Sequence, residues 1–224
     1  GGNQDDYLMN IQQTYDGGYI LGGTSFSSIS FDKTENCMGN FDYWIVKVDF
    51  QGNIQWQNTI GGSNPDELFS IQQTADGGYA LGGTSSSNIS GDKTESCRGY
   101  QDFWIVKIDS LGSLQWQKTL GGDSYDNLRS IKLMDSGDFI LGGDSWSNLS
   151  GEKAEGVIGI TGYSGIDYWV VMIDSIGNIK WQNTIGGSDA DHFSELIQTN
   201  DMEFVLGGTS ESVASYDKTE NCIG

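Results

Sequence analysis

The sequence repeats itself, and this internal repeat constrains the fold more than any other feature. A Gly-Gly pair opens each copy, an Asp follows four residues after the second glycine, and Leu-Gly-Gly follows at a constant offset. The glycine pairs are Gly1-Gly2, Gly61-Gly62, Gly121-Gly122 and Gly186-Gly187, so the copies are spaced by 60, 60 and 65 residues. A fixed period of this length predicts that each copy forms one supersecondary unit.

Each full copy contains four segments typical of β-strands. In the first copy they are Tyr7 to Thr14, Tyr19 to Ser25, Tyr43 to Val48 and Ile54 to Ile60. An Asp-Gly turn joins the first two segments, a long polar loop precedes the third, and a tight turn precedes the fourth. No helical period is present. Four antiparallel strands per copy predict an all-β chain built from β-propeller blades.

The repeat assigns residues 1–60, 61–120 and 121–185 to three blades and residues 186–224 to half of a fourth. Propellers have about four to eight blades. We therefore expect the chain to be part of a longer protein or to be completed by another chain. The five additional residues of the third copy lie between Gly143 and Asp167, in the loop between the second and third strands.

The chain carries a formal net charge of −20, with 31 acidic and 11 basic residues. This charge repels a phosphate backbone, so nucleic acid is not an expected partner. No apolar run reaches the length of a membrane span.

Catalytic chemistry has few candidates in this sequence. His192 is the only histidine, and nothing around it marks it as the base of a Ser/His/Asp or Cys/His site. Cys37, Cys97 and Cys222 occupy one repeat position. Adjacent blades would hold such positions too far apart for a disulfide or a zinc site, so we expect free thiols or a link to a group outside the chain. We predict a protein that is not an enzyme.

Three of the loops between the second and third strands alternate oxygen-bearing side chains in a way that suits a hard cation such as calcium. The candidate ligands are Asp32, Thr34, Asn36, Asp92, Thr94, Asp217, Thr219 and Asn221. A lysine within each loop disfavours a tight site. The alternative is a solvated loop shaped by Asx and Ser/Thr turns.

Strand alternation places these long loops at the same end of each blade as the connections between copies. We call this end the long-loop face and expect ligands to bind there, since it is acidic and variable. Its candidate residues are Trp146, Asp6, Asp66, Asp126 and Asp191. For the four aspartates the alternative is a structural role, in which each accepts hydrogen bonds from the backbone between copies.

The hairpin of the third and fourth strands carries Asp-x-x-Gly-x-x-x-Trp, as in Asp49, Gly52 and Trp56. It resembles the tryptophan-docking motif of quinoprotein-type propellers, and loosely the Asp box of sialidase propellers, but lacks the active-site residues of both. We expect its Trp to pack between neighbouring sheets. Trp44, Trp104 and Trp169 of the third strands are expected in the core.

The segments 16–25, 42–49, 52–57 and 59–62 resemble repeats of large secreted and cell-surface proteins of Bacteroidota. Such proteins commonly end in a sorting domain of the type IX secretion system. The resemblance implies a secreted or bacterial cell-surface protein, and it is tied to no single activity.

These observations favour a non-enzymatic, adhesion-type binding module whose acidic long-loop face binds a glycan, a protein or another surface. Two alternatives remain open. The chain could be the non-catalytic part of a secreted glycan-active enzyme, or a structural segment of a larger cell-surface assembly.

Overall fold

The computed structural model describes residues 1–159, 165–201 and 203–222, and these residues form β-strands, turns and loops without a helix. The strands are β1 (Asp6–Gln13), β2 (Tyr19–Ser25), β3 (Asp42–Val48), β4 (Ile54–Ile60), β5 (Asp66–Gln73), β6 (Tyr79–Ser85), β7 (Asp102–Ile108), β8 (Leu114–Leu120), β9 (Asp126–Leu133), β10 (Phe139–Ser145), β11 (Asp167–Ile173), β12 (Ile179–Ile185), β13 (Asp191–Gln198) and β14 (Phe204–Ser210). The predicted all-β class is confirmed.

The strands form four sheets in which neighbours in sequence are neighbours in space. Sheet 1 is β1-β2-β3-β4, sheet 2 is β5-β6-β7-β8, sheet 3 is β9-β10-β11-β12, and sheet 4 is the pair β13-β14. In the first copy the predicted second and fourth strands match β2 and β4 to the residue, whereas β1 and β3 begin one residue earlier than predicted. Residues 160–164 of the predicted insertion, and residues 223–224, lie outside the described part. Within that part, no helix is long and apolar enough to cross a membrane.

The chain divides into two compact units. Unit 1 comprises residues 1–97 and 104–119, and unit 2 comprises residues 98–103 and 120–224. Each unit has its own core.

The turn between β3 and β4 shows why the Asp-x-x-Gly motif recurs. The Asp49 carboxylate accepts hydrogen bonds from the backbone N–H groups of Gln51 (2.8 Å) and Asn53 (2.9 Å). Gly52 has a φ of 87°, a conformation that side chains disfavour. The motif therefore encodes a hairpin turn, as predicted.

The core of unit 1 lies between sheet 1 and sheet 2. Leu68 and Ile71 of β5 pack on Gly22 of β2, where an added Cβ would lie only 2.1 Å from Ile71 Cδ1. Trp104 is fully buried, with its ring 4.9 Å from that of Tyr43.

Trp56 confirms the predicted packing role of its motif. Its indole N–H donates to the Ser110 carbonyl over 3.1 Å, and its ring meets Tyr79 edge-on. These contacts join β4 of sheet 1 to residues of sheet 2 within unit 1.

Unit 2 repeats the same packing between sheet 3 and sheet 4. Phe193 and Leu196 of β13 pack against Gly142 of β10, whose added Cβ would lie 2.4 Å from Phe193 Cζ. Ile140 and Val170 complete the buried cluster. The Leu-Gly-Gly motif is therefore the seat on which the next sheet rests, because the first of its two glycines leaves room for large apolar side chains.

Gly22→Ala is expected to lower the free energy of unfolding by about 1–3 kcal/mol, because the new methyl group overpacks the seat of Ile71 and Leu68. Gly207 occupies the same repeat position in β14, and an added Cβ there meets only the Glu195 carbonyl oxygen at 3.9 Å. Gly207→Ala is the matched control and should change stability by less than about 0.5 kcal/mol. Urea denaturation of both variants measures the difference, and equal losses would contradict the proposed seat.

Candidate functional site

The long-loop face is built by hydrogen bonds between the Gly-Gly pairs and the long loops that follow the second strand of each sheet. In unit 1, Gly61 N–H donates to the Asp92 carboxylate over 3.2 Å, and Asp92 N–H donates to the Gly61 carbonyl over 2.9 Å. In unit 2, Gly186 and Asp217 are joined in the same way. These bonds bring together the two kinds of connection that strand alternation places at one end of each sheet.

The four aspartates predicted at this face each accept a backbone hydrogen bond from the second glycine of a pair. The N–H···O distances are 2.5 Å from Gly2 to Asp6, 2.6 Å from Gly62 to Asp66, 2.7 Å from Gly122 to Asp126, and 2.6 Å from Gly187 to Asp191. A serine hydroxyl adds a second bond to each, as Ser87 does to Asp66 over 3.0 Å. Asp66, Asp126 and Asp191 are buried, so these carboxylates hold the junction between copies.

Another buried carboxylate, at the start of a third strand, faces three of the four Gly-Gly pairs: Asp42 faces Gly61, Asp102 faces Gly121 and Asp167 faces Gly186. Asp167 accepts a bond from Ile158 N–H over 2.5 Å through Oδ2. Its Oδ1 has no hydrogen-bond partner among the described residues and lies against Gly186, where an added Cβ would be 1.8 Å away. Burial raises the pKa of Asp167 to about 7, helped by the neighbouring Asp191 and Asp217 carboxylates and opposed by the Ile158 bond and Lys153.

The predicted calcium ligands lie on the loops, and several of them make hydrogen bonds within the protein. Asp32 accepts from the amino group of Gly1 (3.0 Å), and Asn36 and Asn221 accept the Ile29 and Ala214 N–H groups (2.9 Å each). Thr34 and Thr94 donate their backbone N–H groups to Gln57 and Gln117. Thr219 is exposed. Within the described ranges, no three His, Cys, Asp or Glu side chains form a metal-binding group. A calcium site here stays a prediction.

The lysine is buried in three of the four loops, whereas Lys218 of the fourth is partly exposed. Lys33, Lys93 and Lys153 are at most 3% exposed. Their ammonium groups lie 5.6, 5.0 and 5.1 Å from the ring centroids of Trp44, Trp104 and Trp169, and each donates to a threonine of the fourth strand, as Lys93 does to Thr119. The loop therefore supplies its own cation to the core, in a cation–π geometry.

The glutamate of the loop also has an internal role. Glu95 accepts a hydrogen bond from Thr119 N–H over 2.8 Å, and Glu155 accepts one from Thr184 N–H over 2.9 Å. The two carboxylates thus fix the loops to the edges of sheets 2 and 3.

Trp146 belongs to an aromatic cluster on the long-loop face of unit 2. Its ring meets Tyr125 edge-on at 6.1 Å, and Tyr125 stacks on Tyr100 at 4.9 Å with an interplanar angle of 24°. Tyr100 is 63% exposed. We call Tyr100, Tyr125 and Trp146 the aromatic platform.

Polar groups border the aromatic platform. Tyr100 N–H donates to the Ser124 carbonyl over 2.9 Å, which fixes the exposed ring relative to the neighbouring loop. Asp123 and Asn148 are exposed beside it and joined by a 3.1 Å hydrogen bond. Sequence reasoning found Trp146 and missed the two tyrosines, which come from separate segments and have no aromatic counterparts in the first copy.

The cysteines are held in equivalent positions beneath the loops. The thiols of Cys37, Cys97 and Cys222 donate to the carbonyls of Ser25, Ser85 and Ser210 over 2.9–3.0 Å, and none of the three forms a disulfide. Burial raises the pKa of Cys37, so this thiol is not activated as a nucleophile.

Comparison with known proteins adds no family to this description. No protein-family model matches the chain, and no curated protein matches it at a significant level.

Proposed function

We propose that this chain is a non-enzymatic module of a secreted or bacterial cell-surface protein, and that it binds a neutral glycan at the aromatic platform. The resemblance to Bacteroidota repeats supports the location of the protein, and a single structural observation supports the binding site. That observation is an exposed tyrosine stacked on a second aromatic ring, on the face that carries the long loops.

We also propose that the sheets are the blades of a β-propeller. Four-stranded antiparallel meanders that repeat every 60 residues, and that pack face to face through a glycine seat, support this architecture. In such an arrangement the long loops of all blades share one face, so the aromatic platform would lie on the binding face of the propeller.

The chemistry of the aromatic platform favours a sugar as ligand. The face of a pyranose ring is apolar and packs on an aromatic ring, while its hydroxyl groups need polar partners such as the neighbouring Asp123 and Asn148. The net charge of −20 disfavours sulfated or uronic glycans.

Binding of neutral oligosaccharides tests the proposal. We expect isothermal titration with a panel of cello-, xylo- and mannohexaose to show binding by at least one member. Tyr100→Ala should weaken that binding at least about fivefold, because a stacked aromatic contributes about 1 kcal/mol or more. The oligosaccharide should be recovered uncleaved, since the proposed module has no hydrolytic site.

Tyr15→Ala is the control, because Tyr15 is 73% exposed on a turn outside the long-loop face. The proposal is wrong if no member of the panel binds, or if both tyrosine variants weaken binding equally.

A further inference from the structure

Sheet 1 exposes an apolar surface whose counterpart on sheet 2 is buried. Leu8 and Ile11 are 60% and 57% exposed, whereas Leu68 and Ile71, at the same repeat positions, are fully buried against Gly22. We call Leu8, Ile11, Tyr19 and Leu21 the β1 face. Such a contiguous apolar surface marks an interaction site.

The β1 face borders a hollow of about 380 Å³, which extends over β3 and the start of β4. Trp44, Val46, Val48 and Ile54 line it, and the hollow is predominantly apolar. At the corresponding place on sheet 2, Trp104 and Val106 are covered by sheet 1. Unit 1 therefore shows which kind of residues pack on such a surface.

The covering surface consists of the outward residues of a β2-type strand. Ile20 and Thr24 are buried beneath sheet 2, Gly22 seats Ile71, and Thr24 Oγ1 accepts the Leu68 N–H over 3.2 Å. The two strands therefore recognise each other in two ways: Ile71 fits the space above Gly22, and the Leu68 N–H donates to the Thr24 hydroxyl.

Strand β14 carries the same residue pattern without a cover. Val205, Gly207 and Thr209 stand at the repeat positions of Ile20, Gly22 and Thr24, and all three are exposed. An added Cβ at Gly207 would meet only one atom, at 3.9 Å, so its seat is vacant. We call Val205, Gly207 and Thr209 the β14 face.

We propose that the β1 face binds a second copy of this chain through that copy's β14 face. Ile11 of one copy sits on Gly207 of the other, and Leu8 N–H donates to Thr209 Oγ1. The contact continues between two chains the packing that sheets 1 and 2 make within one. The two faces are different surfaces, so the association is head-to-tail, and a single contact of this kind leaves one face of each kind unused.

The negative charge of the chain makes this association depend on the ionic strength. Each copy carries a net charge of −20, and the repulsion between copies is screened by salt. Association should therefore strengthen as the ionic strength rises, as expected for an apolar contact between acidic partners.

Sedimentation velocity at protein concentrations from about 1 to about 100 μM measures the association. We expect the wild-type mass to rise above the 24.4 kDa monomer as concentration increases. A Leu8→Asp, Ile11→Asp double variant blocks the β1 face, and Gly207→Leu blocks the β14 face. Each variant alone should weaken association at least about tenfold, since charge or bulk replaces an apolar fit. Circular dichroism verifies that both variants are folded.

Mixing the two blocked variants is the decisive step. The double variant keeps its β14 face and Gly207→Leu keeps its β1 face, so an equimolar mixture should form a dimer and no larger species. Ile29→Asp changes an exposed residue outside both faces and should associate like wild type. The proposal is overturned by a wild-type chain that stays monomeric throughout, by blocked variants that associate like this control, or by a mixture that forms no dimer.

Discussion

Trp104→Ala is expected to lower the free energy of unfolding by about 3–5 kcal/mol, the largest effect of any single core truncation in unit 1. The indole is fully buried, and its N–H donates to Gln117 over 3.0 Å. Its ring packs against Tyr43 and lies beneath the Lys93 ammonium group. Truncation removes the packing and leaves the buried cation without the ring it rests on.

Trp44 provides a matched control within the same chain. It has the same repeat position, a lysine above its ring at 5.6 Å, and a glutamine accepting its N–H at 3.1 Å. It is not fully buried, because its outer side borders the hollow beside the β1 face. Urea denaturation at a concentration where the chain is monomeric should show a clearly smaller loss for Trp44→Ala, and equal losses would mean that packing between the sheets does not stabilise unit 1.

The strands could be predicted from the sequence because their signals are local. Asp-Gly turns, a period of two and the exact recurrence of the pattern define where β2 and β4 begin and end. The Leu-Gly-Gly motif could also be found in the sequence, but its role in sheet packing could not be predicted. A glycine seat depends on which side chain arrives from the next sheet, and that is a property of packing rather than of local sequence.

The buried lysines were missed because a lysine in a polar loop is almost always solvated. The signal was present in the repeat itself. The aspartate of the loop becomes Glu152 and the threonine becomes Ala154 in the third copy, whereas lysine and glutamate occur in all four copies. The side chains that do not vary are those bonded to the sheet, as Lys153 and Glu155 are.

The aromatic platform could be predicted only in part. Trp146 stood out because the other copies have Phe26, Ser86 or Glu211 at its position. Its partners Tyr100 and Tyr125 come from two other segments, and only the fold brings the three rings together. Features specific to one copy are thus harder to find than the repeat, although they are better candidates for function.

Lowering the pH from about 7 to about 4 is expected to raise the free energy of unfolding, because buried carboxyl groups bind protons more tightly in the folded chain. The pKa of Asp167 is raised to about 7 and that of Asp66 to about 6, chiefly by burial, from an ordinary value of 3.8. A raised carboxyl pKa contributes stability that is fully present below the unfolded value and is lost as the pH rises through the folded value. Asp16 and Asp76 act in the opposite sense, since hydrogen bonds from threonine and lysine lower their pKa to about 2. Their contribution to stability is lost as the pH falls from about 5 to below about 2, so little of it is lost at about pH 4.

Asp167→Asn isolates the largest of these contributions. Between about pH 4.5 and pH 8, the stability of the variant relative to wild type should shift in its favour by up to about 4 kcal/mol, since three pKa units correspond to about that free energy. The reason is structural. The substituted amide side chain keeps an oxygen that accepts the Ile158 N–H. Unlike the carboxylate, it places no negative charge against Gly186 at high pH. Chemical denaturation at a series of pH values measures the shift, with Asp135→Asn, an exposed carboxylate on a turn, as control. Parallel stability curves for Asp167→Asn and wild type would show that Asp167 remains charged in the folded chain at every pH tested, and that the Gly-Gly junction tolerates that charge.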